Sequence, residues 1–185
     1  MEQNFEILES QIRDSYGRAL YTHKTHEKCA DIADEWNIRL KYIQIILSGL
    51  SATGIMYTIW GEEKWVTIIC AVLSAILFII NIFLKNIDYG KIAEKHRDAA
   101  IDIWDVKESY LSLLTDMRSA KIDYANAIIA RDNLQAKLTA IYKCALRTNS
   151  RGYKKAQEAL KKKEEATFSD EEIDLLLPID LRRMK

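Results

Sequence analysis

The chain has 185 residues, of which 27 are basic and 27 acidic, so no overall charge draws it to DNA or RNA. One proline, six glycines and long stretches rich in Ala, Leu, Glu, Lys and Ile predict an almost wholly helical protein and give no support for a sheet. Its three cysteines are too widely spaced to suggest a disulfide framework or a tetrahedral zinc site.

Residues 1–41 are predicted to form one or two amphipathic cytoplasmic helices, because apolar residues recur there at steps of three and four. The acidic start lacks the basic and apolar run of a cleaved signal sequence. His23, His26 and Cys29 follow one another at steps of three. Such steps drift round a helix, and a metal needs further converging ligands. We therefore predict no metal site here, but a polar helix segment that faces a partner near the membrane.

Two uncharged apolar stretches, residues 42–60 and 65–84, are predicted to form a transmembrane helical hairpin. As helices they would each span about 28 to 30 Å, close to the thickness of the hydrocarbon core of a bilayer. The alternative is a pair of buried helices in a soluble core. The rest of the chain is too short to cover two helices that are apolar on nearly every face.

The distribution of basic residues predicts the orientation of this hairpin. Several lie just outside its two ends, whereas only Lys64 lies in the connecting turn, so both termini are expected in the cytoplasm. Trp and Tyr favour the boundary between lipid and water, and they cluster at both ends of the spans. These belt residues are Trp36, Tyr42, Tyr57, Trp60, Trp65 and Tyr89.

Each span also carries polar side chains at helical spacing. An unpaired amide is costly in hydrocarbon, so these side chains are expected to face other helices. Two interpretations stay open: close helix contacts, or the lining of a water-filled path in an oligomer. The candidate pore-lining or helix-contact residues are Gln44, Ser48, Ser51, Thr58, Thr67, Cys70, Ser74 and Asn81.

Residues 85–147 show a seven-residue apolar repeat that continues without a slip from Tyr89 to Ala145. Such a repeat is typical of helices that supercoil, and we expect a coiled-coil-like bundle of long cytoplasmic helices. The region forms either one rod or two antiparallel helices broken near residues 115–119, and a second apolar face favours the broken form. The predicted oligomerisation seam comprises Ile103, Val106, Tyr110, Leu113, Met117, Leu134, Leu138 and Ile141.

Residues 148–185 are predicted to contain a basic helix and a short capped helix. The basic helix could meet phosphate groups or anionic lipid, although a solvated face is the commoner role. Ser169 and Glu172 have the spacing of a capping box, and Pro178 should end the helix that they start. The tail is therefore expected to be an ordered docking element.

The chain lacks the sequence patterns of an enzyme. It has no glycine-rich phosphate loop, no H-E-x-x-H and no G-x-S-x-G. We accordingly predict no catalytic activity and no cofactor, and we assign no catalytic, cofactor-binding or metal-binding residue.

The order of these elements and two sequence motifs resemble the SLATT domain. The motifs are RALYTHKTHEKCAD at residues 18–31 and GYKKAQEALKKKEEATFSDEEIDLLLPIDLR at residues 152–182. SLATT proteins are bacterial two-transmembrane effectors found beside nucleotide-signalling or reverse-transcriptase defence modules. The resemblance implies a multi-pass protein of the bacterial inner membrane that oligomerises and permeabilises this membrane when phage infection provides a trigger. The outcome would be abortive infection.

The resemblance also implies the partners. They are membrane lipid, further copies of the chain, and a cytosolic protein such as a nucleotidyltransferase or a reverse transcriptase, while nucleic acid stays open. An alternative function is a non-pore membrane scaffold whose coiled-coil tail recruits a cytosolic defence enzyme. A phage holin is a third candidate, but holins rarely carry such a long cytoplasmic part after the membrane.

Overall fold

The computed structural model describes residues 2–60 and 64–183, and these residues form helices joined by short turns, with no strand. The all-α fold predicted from the composition is confirmed. The elements are α1 (Glu2–Trp60), α2 (Lys64–Asn86), α3 (Tyr89–Arg118), α4 (Tyr124–Cys144), α5 (Ser150–Lys161), α6 (Asp170–Leu176) and a 3₁₀ turn (Ile179–Leu181).

The first helix is one uninterrupted element of 59 residues, about 88 Å long at the usual helical rise. No proline or glycine occurs between Gly17 and Gly49, so nothing in the sequence ends the helix there. The N-terminal amphipathic stretch and the first predicted span are therefore parts of the same helix. The backbone stays helical across the boundary expected at residue 41.

The second and third helices follow one another along α1, antiparallel to it. α2 packs on the C-terminal part of α1, and α3 packs on the N-terminal part. Arg97 forms a salt bridge with Asp34 at 2.6 Å. Further along α3, Arg118 forms a salt bridge with Glu9 at 3.3 Å. The break between the two helices lies at residues 87–88, where the Asp88 side chain accepts the backbone N–H of Lys91 and caps α3.

The heptad region folds back on itself as an antiparallel helix pair, as the second apolar face predicts. α3 continues to Arg118, and the turn occupies residues 119–123, where Ala120 has a φ of 52°. The Asp123 side chain then accepts the N–H of Asn126 at 2.8 Å and starts α4. Lys137 pairs with Asp105 across the two helices. The break falls at the end of the segment predicted at residues 115–119.

The main apolar core lies between α1, α3 and α4, and it includes the predicted seam residues. Seam residues from Ile103 to Met117 are at most 6% exposed, and they pack on Leu8, Ile12 and Ala19 of α1. The α4 seam residues are partly buried against this core; they are Leu134, Leu138 and Ile141. The same chain therefore supplies the packing partner for these residues.

The C-terminal segment contains the predicted capping box. Ser169 N–H donates to Glu172 Oε2 at 2.8 Å, and Glu172 N–H donates to Ser169 Oγ at 3.2 Å. α6 ends at Leu176, two residues before Pro178. Before it, α5 packs on α1, where a Cβ at Gly152 would collide with the Cys29 sulfur. Only a glycine lets these two helices come this close.

Candidate functional site

The outer surface of the hairpin is apolar. Among the described residues, one helical stretch is long and apolar enough to cross a membrane; it begins at Lys64, and its 18-residue apolar window has a mean hydropathy of 2.8 and is only 6% buried. Ile45 on α1 and Ile68 and Phe78 on α2 are each about two-thirds exposed. Two helices in a soluble core would be covered, so this exposure favours lipid as their surroundings.

The two helices of the hairpin meet along a face of small and polar residues. Ser51 is 6% exposed and Cys70 is 7% exposed, and a Cβ at Gly54 would collide with the Cys70 sulfur. Gln44, one heptad before Ser51, is half-buried on the same face of α1. The Ser51 hydroxyl is buried and finds no hydrogen-bond partner among the described groups. Small side chains thus allow the close contact that is typical of membrane helices.

A second set of polar residues points away from this contact. Ser48, Thr67, Ser74 and Asn81 are all exposed in the single chain. The residue directly before each of them in the sequence is less exposed, because it faces the other helix of the hairpin. These contact residues are Leu47, Val66, Leu73 and Ile80. In an antiparallel pair of right-handed helices, residues that follow a contact residue by one position lie on the same side of the pair, whichever helix carries them. The four residues therefore form one polar side of the hairpin.

The eight predicted membrane residues thus divide into two groups. Gln44, Ser51 and Cys70 lie between the two helices of the hairpin, and the four residues of the polar side face outward. The side chain of Thr58 lies outside the part of the chain whose side chains the structure describes, as does the turn at residues 61–63. The structure therefore places three of these residues in the contact between the two helices and four on an outward face.

Outside the membrane part, two histidines are buried between α1 and α3. His26 Nδ1 lies 3.0 Å from His96 Nδ1, and His23 Nδ1 lies 2.9 Å from the carbonyl oxygen of Ala100. Burial, together with the charges of His96 and His23, lowers the pKa of His26 to about 4. Burial also lowers the pKa of His96. Both rings are consequently neutral at pH 7, one donating to the other.

This placement identifies what the segment around His26 faces. The partner is α3 of the same chain, through His96 and Ala100. The one sequence signal for this contact is His96 itself, which interrupts the apolar repeat at a position that should be buried. The described residues contain no group of three or more His, Cys, Asp or Glu side chains arranged to hold a metal ion.

Comparison with known proteins assigns the chain to a family. The family model for the SMODS and SLOG-associating 2TM effector domain family 4 matches residues 8–172. No curated protein and no solved structure matches the chain. The matched range includes both helices of the hairpin and the helices packed beyond it, and it confirms the resemblance seen in the two motifs. The chain therefore belongs to the SMODS and SLOG-associating 2TM effector domain family 4.

Proposed function

We propose that this protein is the membrane effector of a bacterial anti-phage system, which oligomerises and permeabilises the inner membrane when a partner or a nucleotide signal triggers it. Membership of a 2TM effector family supports the effector role. The observation that carries the permeabilising role is the polar side of the hairpin, formed by Ser48, Thr67, Ser74 and Asn81.

The polar side favours association of several copies. Transfer of a carboxamide such as that of Asn81 from water to an apolar medium, without a hydrogen-bond partner, costs roughly 2 to 7 kcal/mol of free energy. A hairpin alone in lipid would leave this amide without one. Two helices are too few to enclose a channel, so a ring of hairpins with their polar sides inward would both satisfy these groups and create a wet path.

The charges beside the membrane support a cytoplasmic position for both termini. Arg39 and Lys41 precede the first span, and Lys85 and Lys91 follow the second, so basic residues lie at the same end of the hairpin. In this orientation the bundle of α3, α4, α5 and the first part of α1 is in the cytosol. There it would meet a soluble trigger.

Loss of membrane potential on overproduction tests the proposal, because high protein concentration favours assembly without the trigger. In a bacterial host, the wild-type chain should arrest growth and collapse the membrane potential, and Asn81→Leu combined with Ser74→Ala should abolish both effects at equal membrane content. Phe83→Leu, on a different exposed face of α2, is the matched control and should behave like the wild type. Undiminished depolarisation by the double variant would contradict a role of the polar side.

The scaffold remains a second candidate because of the C-terminal tail. Leu175, Leu176, Ile179 and Leu181 are between 65 and 79% exposed, which fits an element that docks on another protein. A scaffold would tolerate the changes on the polar side and would lose its function with Leu175→Asp and Leu176→Asp. An effector of the proposed kind should show the reverse pattern when overproduced.

A further inference from the structure

A cleft of about 1010 Å³ opens between α1, the end of α4 and the start of α5. Three arginines and three tyrosines give its walls their chemical character: Arg13, Arg18, Arg147, Tyr21, Tyr142 and Tyr153. Pockets for small molecules usually enclose about 300 to 1,000 Å³. The cleft therefore has room for a ligand of several rings or phosphate groups.

The charge of the cleft is positive. Asp14 is in its lining and pairs with Arg18 at 2.9 Å, and Glu9 lies 3.7 Å from Arg13. Arg147 forms no ion pair with any other described residue. Side chains of Arg13 and Arg18 are about two-thirds exposed, so a ligand can reach them. Guanidinium groups form paired hydrogen bonds with phosphate oxygens.

The aromatic side chains offer surfaces for a planar ring. The rings of Tyr21 and Tyr153 lie 6.0 Å apart between centroids, at an interplanar angle of 30°. Tyr153 is 50% exposed and Tyr142 is 43% exposed, so both leave ring surface uncovered. Bases stack on such rings with little dependence on their identity. Cations and rings together match the two halves of a nucleotide.

One hydroxyl group in the cleft lacks a partner. The Tyr21 oxygen is buried and makes no hydrogen bond to a described group. The oxygen lies below the surface of the wall, so Tyr21 contributes its ring to the cleft and not its hydroxyl group. His26 lies in the same wall but is only 2% exposed, so it offers almost no surface to a ligand.

We propose that this cleft binds a nucleotide, with its phosphate groups on the arginines and its base against the tyrosines. The binding of a nucleotide is argued from the cleft alone. The role of this nucleotide as the trigger of the effector rests on the proposed function. The ligand would contact three elements at once, α1, the segment after α4, and α5. Its binding energy would accordingly draw α5 and the end of α4 towards α1.

The test measures binding to the full-length protein in detergent micelles by isothermal titration calorimetry. The probes are the common ribonucleoside mono-, di- and triphosphates and cyclic mono- and dinucleotides, with pyrophosphate as an anion without a base. At least one nucleotide should bind with a Kd of about 100 µM or tighter, and at least tenfold more tightly than pyrophosphate. Arg147→Ala and Tyr153→Ala should each weaken this binding about tenfold or more.

One control separates the cleft from a general effect of charge. Arg151→Ala removes an exposed cation of α5 outside the cleft, so this variant should bind as the wild type does. The site is refuted if no probe nucleotide binds, if pyrophosphate binds as tightly as any nucleotide, or if Arg151→Ala weakens binding as much as Arg147→Ala. Tight binding that depends on Arg147 but never changes membrane leakage would establish the site and overturn its role as the trigger.

Discussion

His26 and His96 show how a single pair of residues makes the packing of α1 on α3 depend on pH. Both rings are buried and neutral, and a proton on His26 would place a charge where water cannot reach it. In the unfolded chain the same ring takes up a proton with a pKa near 6.5. The folded state is therefore favoured above this pH and is progressively penalised below it.

We expect the protein to lose stability as the pH falls from about 6.5 towards 4. For His26, with a folded pKa of about 4, the loss at pH 5 is about 2 kcal/mol. His26→Gln retains a hydrogen-bonding side chain but takes up no proton, so its stability should change less between pH 7 and pH 5. Urea unfolding of the purified protein, followed by circular dichroism at both pH values, measures the difference. Equal pH dependence of stability in the wild type and the variant would contradict the assignment of this loss to protonation of His26.

At the residue scale, the sequence reveals groups more readily than their partners. The spacing of His23, His26 and Cys29 is visible in the chain, yet their contacts lie far along it, at Ala100, His96 and Gly152. A pattern within seven residues carries no information about a helix that begins more than 60 residues later. The lining of the cleft is missed for the same reason, since it combines residues 13–26 with residues 142–153.

At the scale of elements, the close approach of α1 and α2 gives a test of the hairpin. A Cβ at Gly54 would lie 3.9 Å from the Cβ of Cys70, close to the mean separation in disulfides. We expect Gly54→Cys to form an intrachain disulfide with Cys70 when membranes are treated with a permeant oxidant. The shift of the band on a non-reducing gel, reversed by a reductant, reports the bond.

Thr53→Cys is the matched control for this cross-link, because Thr53 is exposed on a different face of α1. It should react with Cys70 far more slowly. Equal rates for the two variants, or a product of the size of a dimer with Gly54→Cys alone, would mean that the two helices do not pack in this register within one chain.

The helices themselves could be predicted from periodicity, and so could the capping residues of the tail. The partners of the helices could not. An apolar repeat such as that of Ile103 and Val106 shows that one face must be covered, but a helix of the same chain and a second copy cover it equally well. The continuity of α1 was also hidden, since the change from a charged to an apolar composition near residue 41 resembles a boundary between elements.

At the scale of the whole molecule, α1 fixes the rotation of the hairpin about the helix axis relative to the bundle of α3, α4 and the first part of α1. One alanine inserted between Lys41 and Tyr42 would rotate the membrane part by about 100° relative to the bundle. Ser51 and Gly54 could then no longer face α2 while His26 faces α3. We expect this insertion to lower the thermal stability of the protein and to abolish depolarisation of overproducing cells.

An alanine inserted between Ile87 and Asp88 is the control for this experiment. It lies in the break between α2 and α3, where an inserted residue does not rotate one part of a continuous helix relative to another. This variant should retain most of its stability and its effect on the membrane potential. If both insertions are tolerated equally, the phase of α1 does not link the two parts of the protein.

The uninterrupted helix also has a mechanical consequence. Arg18, in the wall of the cleft, and Ser48, on the polar side of the hairpin, are carried by the same rod about 45 Å apart. Because this helix has no break, a tilt of about 5° at the cleft would displace its membrane end by about 4 Å. Such a displacement is comparable to the distance between neighbouring side chains. In the proposed assembly, a ligand bound in the cleft would thus slide one hairpin past the next without unfolding any part of the protein.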